Sequence, residues 1–401
     1  MATRLLTINT GSSSLKAALH HMDGMERVDV KATAERIGLP GSRLRIADAK
    51  GATLLDQPDD LHDHDTALEK VIAWLRDRKL DRLDGVGHRV VHGGSRYREP
   101  GLITAELIAA LEQLVPIDPD HLPQALDAIR VTQRAFPTTP QVACFDTAFH
   151  RHMPRVAQLY ALPRAFAETG LVRFGFHGLS YEYIVEKLRG IDPEAADGRV
   201  VVAHLGNGAS MAAVRGGVGI DTTMGFTPTG GLVMGTRSGD LDPGVLVYLL
   251  ESKGMRSDAL SKLVNQESGL LGVSGISADM RDLLTKERSD PAAAEAVDLF
   301  CYQARKFLGA LVAVLGGLDT LVFTGGIGEQ AASVRERICR GFAYLGLELD
   351  RRQNAAHAPI ISRESSRAVV RVMKTDEDLV IARHTARILS ELSGPTVNEK
   401  D

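Results

Sequence analysis

Ile8–Leu19 reads INTGSSSLKAAL, and about half a chain later Ala203–Val214 reads AHLGNGASMAAV. Each is an apolar stretch, a turn of small residues and a second apolar stretch. Short apolar runs broken by Gly and Ser predict a β-hairpin. Two such hairpins at corresponding places in two halves are what duplication of one fold produces. Two unrelated hairpins can also look alike by chance, so the rest of the chain has to decide.

Around the first hairpin, strands are expected over 29–37 and 43–47 and a helix over 65–78. In that helix Leu68, Val71, Ile72 and Leu75 recur at i, i+3, i+4 and i+7 and share one face. A strand over 85–91 ends at HGG. Helices follow over 104–114 and 122–135, then a buried strand over 141–145 that ends in Asp146. Around the second hairpin, residues 216–244 are dense in Gly and Thr and read as loop. Helices are expected over 243–252, 257–266 and 291–315, a strand over 319–324, a helix over 329–343, a strand over 368–373 and a helix over 377–392. Mixed hairpins and βα units without a long linker indicate an α/β protein of two domains with a cleft between them.

Bulk properties narrow the function. A chain of 401 residues exceeds one ordinary core. Hydrophobic residues at 44% and charged residues at 24% are usual for a soluble enzyme. A net charge of −4 argues against a nucleic-acid partner. No apolar run reaches the ~20 residues of a membrane span, and the first residues are too short a stretch for a signal-peptide core. Cys144, Cys301 and Cys339 are scattered without a CxxC, which fits core thiols in a reducing cytoplasm.

Three Gly-rich turns each follow an expected strand: NTGSSSLK (Asn9–Lys16), HLGNGAS (His204–Ser210) and FTGGIGEQ (Phe323–Gln330). Small residues let backbone N–H groups approach a phosphate closely. One such turn means little, since turns use Gly anyway. A P-loop is excluded because the dipeptide GK is absent. Gly326-Ile-Gly328-Glu-Gln-Ala331 also matches a dinucleotide fingerprint, with Glu348 and Asp350 about 20 residues on. That keeps a nicotinamide dehydrogenase open, but it leaves the other two turns unexplained. Neither HExxH nor GxSxG occurs.

In chain order, INTGSSSLK, GHRVVHGG, CFDTAFH, RFGFHGLS, VAHLGNGAS, TPTGGLVMGTRSGDLDP, GVSGISADMRD, FTGGIGE and KTDEDLVIAR resemble the motifs of the acetate kinase family over nearly the whole length. Propionate kinases share most of them. The resemblance implies a duplicated ribonuclease H-like, actin-like ATPase fold. Its domains would be 1–148 completed by 380–401, and 149–379 carrying the nucleotide site. It implies Mg2+-dependent, reversible, in-line transfer from ATP to acetate, with Mn2+ as a possible substitute, in a cytoplasmic homodimer. Propionate or another short-chain carboxylate is the alternative acceptor. A non-enzymatic actin-like ATP-binding module is the non-catalytic rival.

A carboxylate acceptor is already ionised at neutral pH, so the chemistry needs cations and donors rather than a base. Arg89, at the end of an apolar strand, and Arg237, in a Gly-dense loop, supply planar forks suited to carboxylate and phosphate. By resemblance both act at the substrate or transition state, as do Asp146 and His177. Asp146 is expected to position groups or aid the metal. By the same resemblance Asn9 and Glu377 hold the metal, and Val91, Phe176 and Pro228, with Ile117, line the acceptor pocket. Lys16 reaches ATP phosphate, with Ser12 and Ser14 behind it. His204, Leu205, Gly206, Asn207 and Gly208 form the second phosphate turn. Asp279, Met280 and Arg281, with Gly325, Gly326, Ile327, Gly328 and Glu329, hold the nucleoside.

One segment departs from the family. Where a motif close to PLHNP is usual, this chain has Pro116-Ile-Asp118-Pro119-Asp120-His121. A carboxylate turned toward phosphates would be repelled. Asp118 is therefore expected to face away or pair with an Arg or Lys, while His121 or water fills the vacated place.

Overall fold

The stripe Leu68, Val71, Ile72 and Leu75 lies on the helix His64–Asp77, and every member is buried in one core with Leu6, Leu15, Leu19 and Ile46. Burying such side chains stabilises by roughly 1.5–3 kcal/mol each. Asp63 caps this helix by accepting from the Thr66 amide. The computed structural model describes residues 3–22, 24 and 26–392. The chain divides into two units: residues up to Ala148 with those from Asp376 onward, and Phe149–Thr375. The return to the first unit falls at Asp376 rather than at 380. The reason is that Glu377–Leu392 is one continuous helix packed on the first sheet. Residues 393–401 of the expected domain lie outside the described residues.

The first unit carries β1 (Thr3–Thr10), β2 (Ser14–Met22), β3 (Glu26–Glu35), β4 (Arg43–Asp48), β5 (Thr53–Pro58), β6 (Gly85–Val90), β7 (Gly101–Leu102) and β8 (Gln141–Phe145). They form one sheet in the order β5-β4-β3-β2-β1-β6-β8-β7. From β5 to β1 the pairing is antiparallel; β1, β6 and β8 run parallel. Strand alternation sends Gly85 and Gly87 of β6 toward the helix Glu377–Leu392. A Cβ on Gly87 would stand 2.3 Å from Thr385 Oγ1, so glycine is what lets helix and sheet approach. His88, the next residue along β6, points to the other face, where its Nε2 bonds Gln141 Oε1 at 2.9 Å.

The second unit carries β9 (Arg199–Leu205), β10 (Ala209–Arg215), β11 (Val218–Thr222), β12 (Thr320–Thr324) and β13 (Val369–Val372), in the order β11-β10-β9-β12-β13. An antiparallel run, here of three strands, is again followed by two parallel ones. The two hairpins quoted above are β1–β2 and β9–β10, and they hold equivalent places in the two sheets. The expected duplicated α/β fold is thus present. The helix Gly178–Ile191 packs on this sheet through Tyr181, Ile184, Val185 and Leu188.

Several expected elements differ. Residues 218–222 are strand β11, not loop, because pairing with β10 satisfies their backbone. The helix expected over 329–343 is two short helices, Gly325–Gln330 and Ala332–Cys339. Ala331 between them has φ −102° and ψ 82°, outside the helical region. The carbonyls of Gly328 and Glu329 that the break exposes accept from Arg335, which is fully buried. The helix Gly178–Ile191 and the strand β5 are not among the expected elements, although Tyr181, Ile184, Val185 and Leu188 recur at i, i+3, i+4 and i+7. Cys144, Cys301 and Cys339 are buried without a disulfide, and burial pushes the Cys301 thiol up to about 12.

His20, His88 and His150 are buried, and burial lowers each from 6.5 to about 4. They fold neutral and must charge when unfolded in acid. Their contribution is therefore complete above pH 6.5 and is lost as pH falls toward 4, at about 1.4 kcal/mol per pH unit for each. Urea unfolding at pH 7, 6, 5 and 4 is expected to show this loss, with a shallower slope in His88→Gln. An unchanged slope in that variant rules out the assignment.

Candidate active site

Parallel strands deliver their C-terminal ends to one edge of a sheet, where ligand groups concentrate. In the first unit Asn9 ends β1, Arg89 ends β6, and Asp146 follows β8. Arg89 lays its fork on Asp146: Nε donates at 3.1 Å to both carboxylate oxygens and Nη2 donates at 2.5 Å to Oδ2. Its Nη1 donates to Asn9 Oδ1 at 3.0 Å, and Asn9 Nδ2 donates to Glu377 Oε2 at 3.1 Å. Asp146 is 1% exposed and Arg89 15%. Burial works against the Arg89 charge, but Asp146 and Glu377 outweigh it and hold the guanidinium protonated beyond its ordinary range. Burial pushes the Asp146 carboxyl up against the pull of Arg89. The result is a cation held in place with one face committed to acids and one to an amide.

Glu377 opens the helix Glu377–Leu392. Asp378 beside it is half-buried, its Oδ1 is enclosed without a hydrogen-bond partner, and desolvation followed by Glu377 pushes its carboxyl up to about 6. Lys16, exposed on β2, opposes that shift. Oxygen donors from Glu377 and Asn9, with an unpartnered carboxylate oxygen next to them, suit a hard divalent cation such as Mg2+. Val91 is buried and Ile117 half-buried.

In the second unit β9 and β12 are parallel neighbours, with Thr324 opposite His204. Their ends bring two turns together. A Cβ on Gly325 would stand 2.7 Å from the Leu205 carbonyl, and Gly325 has φ +77°. His177 caps the helix Gly178–Ile191 in the left-handed region, at φ 58° and ψ 24°, a conformation that costs a non-glycine residue about 1–2 kcal/mol. Its ring stacks on His204 with centroids 4.4 Å apart and planes at 21°. Nδ1 of His177 and Ser210 Oγ share a hydrogen bond of 2.8 Å, as do His204 Nδ1 and Ser180 Oγ. A Cβ on Gly208 would stand 3.3 Å from His177 Nε2 and 3.7 Å from Arg237 Nη1. Gly208, His177 and Arg237 therefore meet at one point. Arg237 Nη1 also donates to the Pro228 carbonyl at 3.0 Å. Phe176 is buried, and its carbonyl pairs with His150 Nε2 at 3.1 Å.

The sequence matches the model of the acetokinase family over residues 4–383. The chain belongs to that family. It is 48% identical over 396 residues to an acetate kinase of Rhodopseudomonas palustris, covering 97% of this chain and 99% of that protein. It is 45% identical over 404 residues to an acetate kinase of Methylocella silvestris, covering 98% and 100%. Among solved structures, Porphyromonas gingivalis acetate kinase superposes with a TM-score of 0.85 at 38% identity, covering 96% of this chain and 100% of that one. A propionate kinase from Francisella tularensis superposes with a TM-score of 0.89 at 35% identity, with the same coverage.

Within this acetokinase-family chain, the nucleoside residues separate by position. Gly326 is exposed with open space where a Cβ would be, Gly328 is buried, and the Gly325 amide donates to Glu329 Oε1 at 3.1 Å. Asp279 and Arg281 pair with each other at 2.6 Å, while Met280 turns its side chain into the interior. Leu205 is likewise core, and Asn207 is exposed. The antiparallel β9–β11 meander departs from a dinucleotide-binding sheet, which is mostly parallel, so the fingerprint at 326–331 lacks its required setting. Asp118 is buried and pairs with His121, Oδ1 to Nδ1 at 2.7 Å, not with an Arg or Lys. Both partners lie close enough to act on the Arg89–Asp146 pair, since Asp118 favours the Arg89 charge and His121 the Asp146 charge. Ser180, Tyr181, Ser210 and Asp378 complete these clusters and were not singled out from sequence. Ser180 and Ser210 sit inside the quoted motifs, yet a serine two residues from a glycine reads as turn chemistry until the fold brings a histidine to it.

Proposed function

We propose that this chain transfers the γ-phosphoryl group of ATP to acetate, reversibly, giving acetyl phosphate and ADP. The observation that carries the reading is the Arg89 fork, held by Asp146 and Asn9 at the ends of three parallel strands. A preorganised guanidinium places an anionic acceptor without any proton having to leave it. In the proposed reaction Arg89, with Val91, Phe176 and Pro228, binds acetate. Arg237 and His177 stabilise charge on the transferring phosphoryl group, Asp146 orients Arg89, and the turns at 204–208 and 325–329 carry ATP, with Lys16 on its phosphates. Asp279 and Arg281 border the nucleoside. Glu377 and Asn9 would hold Mg2+ or Mn2+, which neutralises phosphate charge when bound. The high similarity to a propionate kinase favours propionate as a second acceptor, since one methylene changes discrimination by only ~1–3 kcal/mol.

We also propose a homodimer in the cytoplasm. The helix Pro243–Glu251 buries no residue, and Val245, Val247, Tyr248 and Leu250 are each 39–51% exposed. A neutral apolar surface of this kind suits an isologous contact with a second copy. Light scattering is expected to show twice the chain mass, and Tyr248→Asp to shift it to the single-chain mass. A parent protein of single-chain mass overturns the dimer. Three buried cysteines, none of them in a disulfide, fit a reducing compartment, and recovery from a periplasmic fraction would contradict the location.

The activity is tested by trapping acyl phosphate with hydroxylamine from ATP, Mg2+ and acetate, propionate or butyrate. Acetate is expected to be preferred, and Arg89→Ala and Arg237→Ala each to lower kcat by roughly 10³-fold. No acyl phosphate from any acceptor, or butyrate as the best one, refutes the reading.

Glu377→Ala is expected to raise the half-saturating Mg2+ concentration by about tenfold or more. It should also weaken Mn2+ binding measured by electron paramagnetic resonance without substrate turnover. A small fall in Tm with metal binding intact would make Glu377 only a helix cap.

A further inference from the structure

The stacked imidazoles of His177 and His204 are anchored in the same way. Each has Nδ1 on a serine hydroxyl at 2.8 Å, and both serines are fully enclosed or nearly so: Ser210 and Ser180 are each 0% exposed. Behind Ser210 stands the Tyr181 hydroxyl, itself 0% exposed, in a short hydrogen bond to Ser210 Oγ. The opposite edges of the rings border the Gly206–Gly208 turn. A Cβ on Gly206 would stand 3.9 Å from His204 Nε2, and one on Gly208 3.3 Å from His177 Nε2.

Which nitrogen carries the proton follows from the anchors. A phenol is a stronger acid than an aliphatic alcohol, so the Tyr181 O–H donates to Ser210 Oγ. Ser210 then gives its one proton to His177 Nδ1, and aligned donors in a buried chain polarise one another. His177 is left with its proton on Nε2. Two imidazolium rings stacked at 4.4 Å would repel strongly in a buried site, so a neutral pair is favoured. Ser180 can donate to His204 Nδ1 in the same sense.

We propose that Ser180 and Ser210, the latter backed by Tyr181, are positioning residues that hold both imidazoles as the Nε2–H tautomer, making the stacked pair a two-donor clamp on the Gly206–Gly208 turn. The clamp would grip phosphate oxygens, which accept and cannot donate when ionised. This role rests on the proposed phosphoryl transfer at that turn. The tautomer assignment does not. His177 also has a left-handed backbone, the kind of strained conformation that concentrates at functional sites.

The test uses the full chain with 15N-labelled histidine, assigned through His177→Gln and His204→Gln. At pH 7.5 both rings are expected to show the nitrogen shifts of the Nε2–H form without any ligand. Ser210→Ala should move only His177 toward a mixture of tautomers, and Ser180→Ala only His204. Tyr181→Phe, which keeps the ring's shape, should move His177 part-way and serves if Ser210→Ala does not fold. In the kinase assay Ser210→Ala should lower kcat about tenfold while KM for ATP stays within about twofold, as expected for a donor that strengthens in the transition state. Nδ1–H rings in the parent, or rings unmoved in both serine variants, overturn the proposal. Full activity in His177→Ala would instead refute the phosphoryl-transfer reading at this turn, and the tautomer result would stand apart from it.

Discussion

A guanidinium taken out of water has to be paired, and the first unit is arranged around that requirement at Arg89. Its Nε and Nη2 both donate to the Asp146 carboxylate, and the remaining nitrogen finds Asn9. These partners come from strands remote in sequence. They meet because β1, β6 and β8 run parallel and end together. Glu377 joins through the helix that returns to the sheet near the end of the described chain. That helix sits closely enough only because Gly85 and Gly87 have no side chain to obstruct it. Removing Arg89 or Asp146 alone leaves the other as an uncompensated buried charge, which is among the costlier defects a fold can carry, at about 3–5 kcal/mol.

The second unit solves a different problem with the same sheet. It carries close backbone approach and ring donors where the first unit carries an ion pair. Gly325 lets the two turns at the ends of β9 and β12 touch, and Gly208 leaves room for His177 and Arg237. The strain stored in His177 is held by its stacking on His204 and by Ser210. Duplication explains why equivalent strand ends face chemistry in both halves. The halves then diverged in which side chains those ends carry.

The pairing of Asp118 with His121 illustrates how a departure from the family motif is absorbed. An unpaired carboxylate there would sit badly beside phosphates. A histidine three residues on turns back one helical turn and meets it. The carboxylate also adds to the field that keeps Arg89 charged, so the substitution ends up supporting the ion pair.

Periodicity alone made the core stripe of the first long helix, both hairpins and most strands legible, because burial imposes a repeat of 3.6 or 2 that survives without three-dimensional context. Arg89, Arg237, His177 and Glu377 were legible too, through local motifs and the family resemblance those motifs carry. The break at Ala331, the strand β11 and the buried Arg335 were not. Each depends on backbone groups whose partners lie elsewhere in the chain, and a window of sequence contains only one side of such a bond. The same holds for Ser180, Ser210 and Tyr181. Their hydroxyls acquire meaning only when the turn of β9 into β10 and the start of the helix Gly178–Ile191 are laid side by side. Sequence determined which elements form and which residue types are present. Tertiary structure decided which nitrogen of each histidine is held, because a tautomer is chosen by a hydrogen bond and that bond is made across the fold.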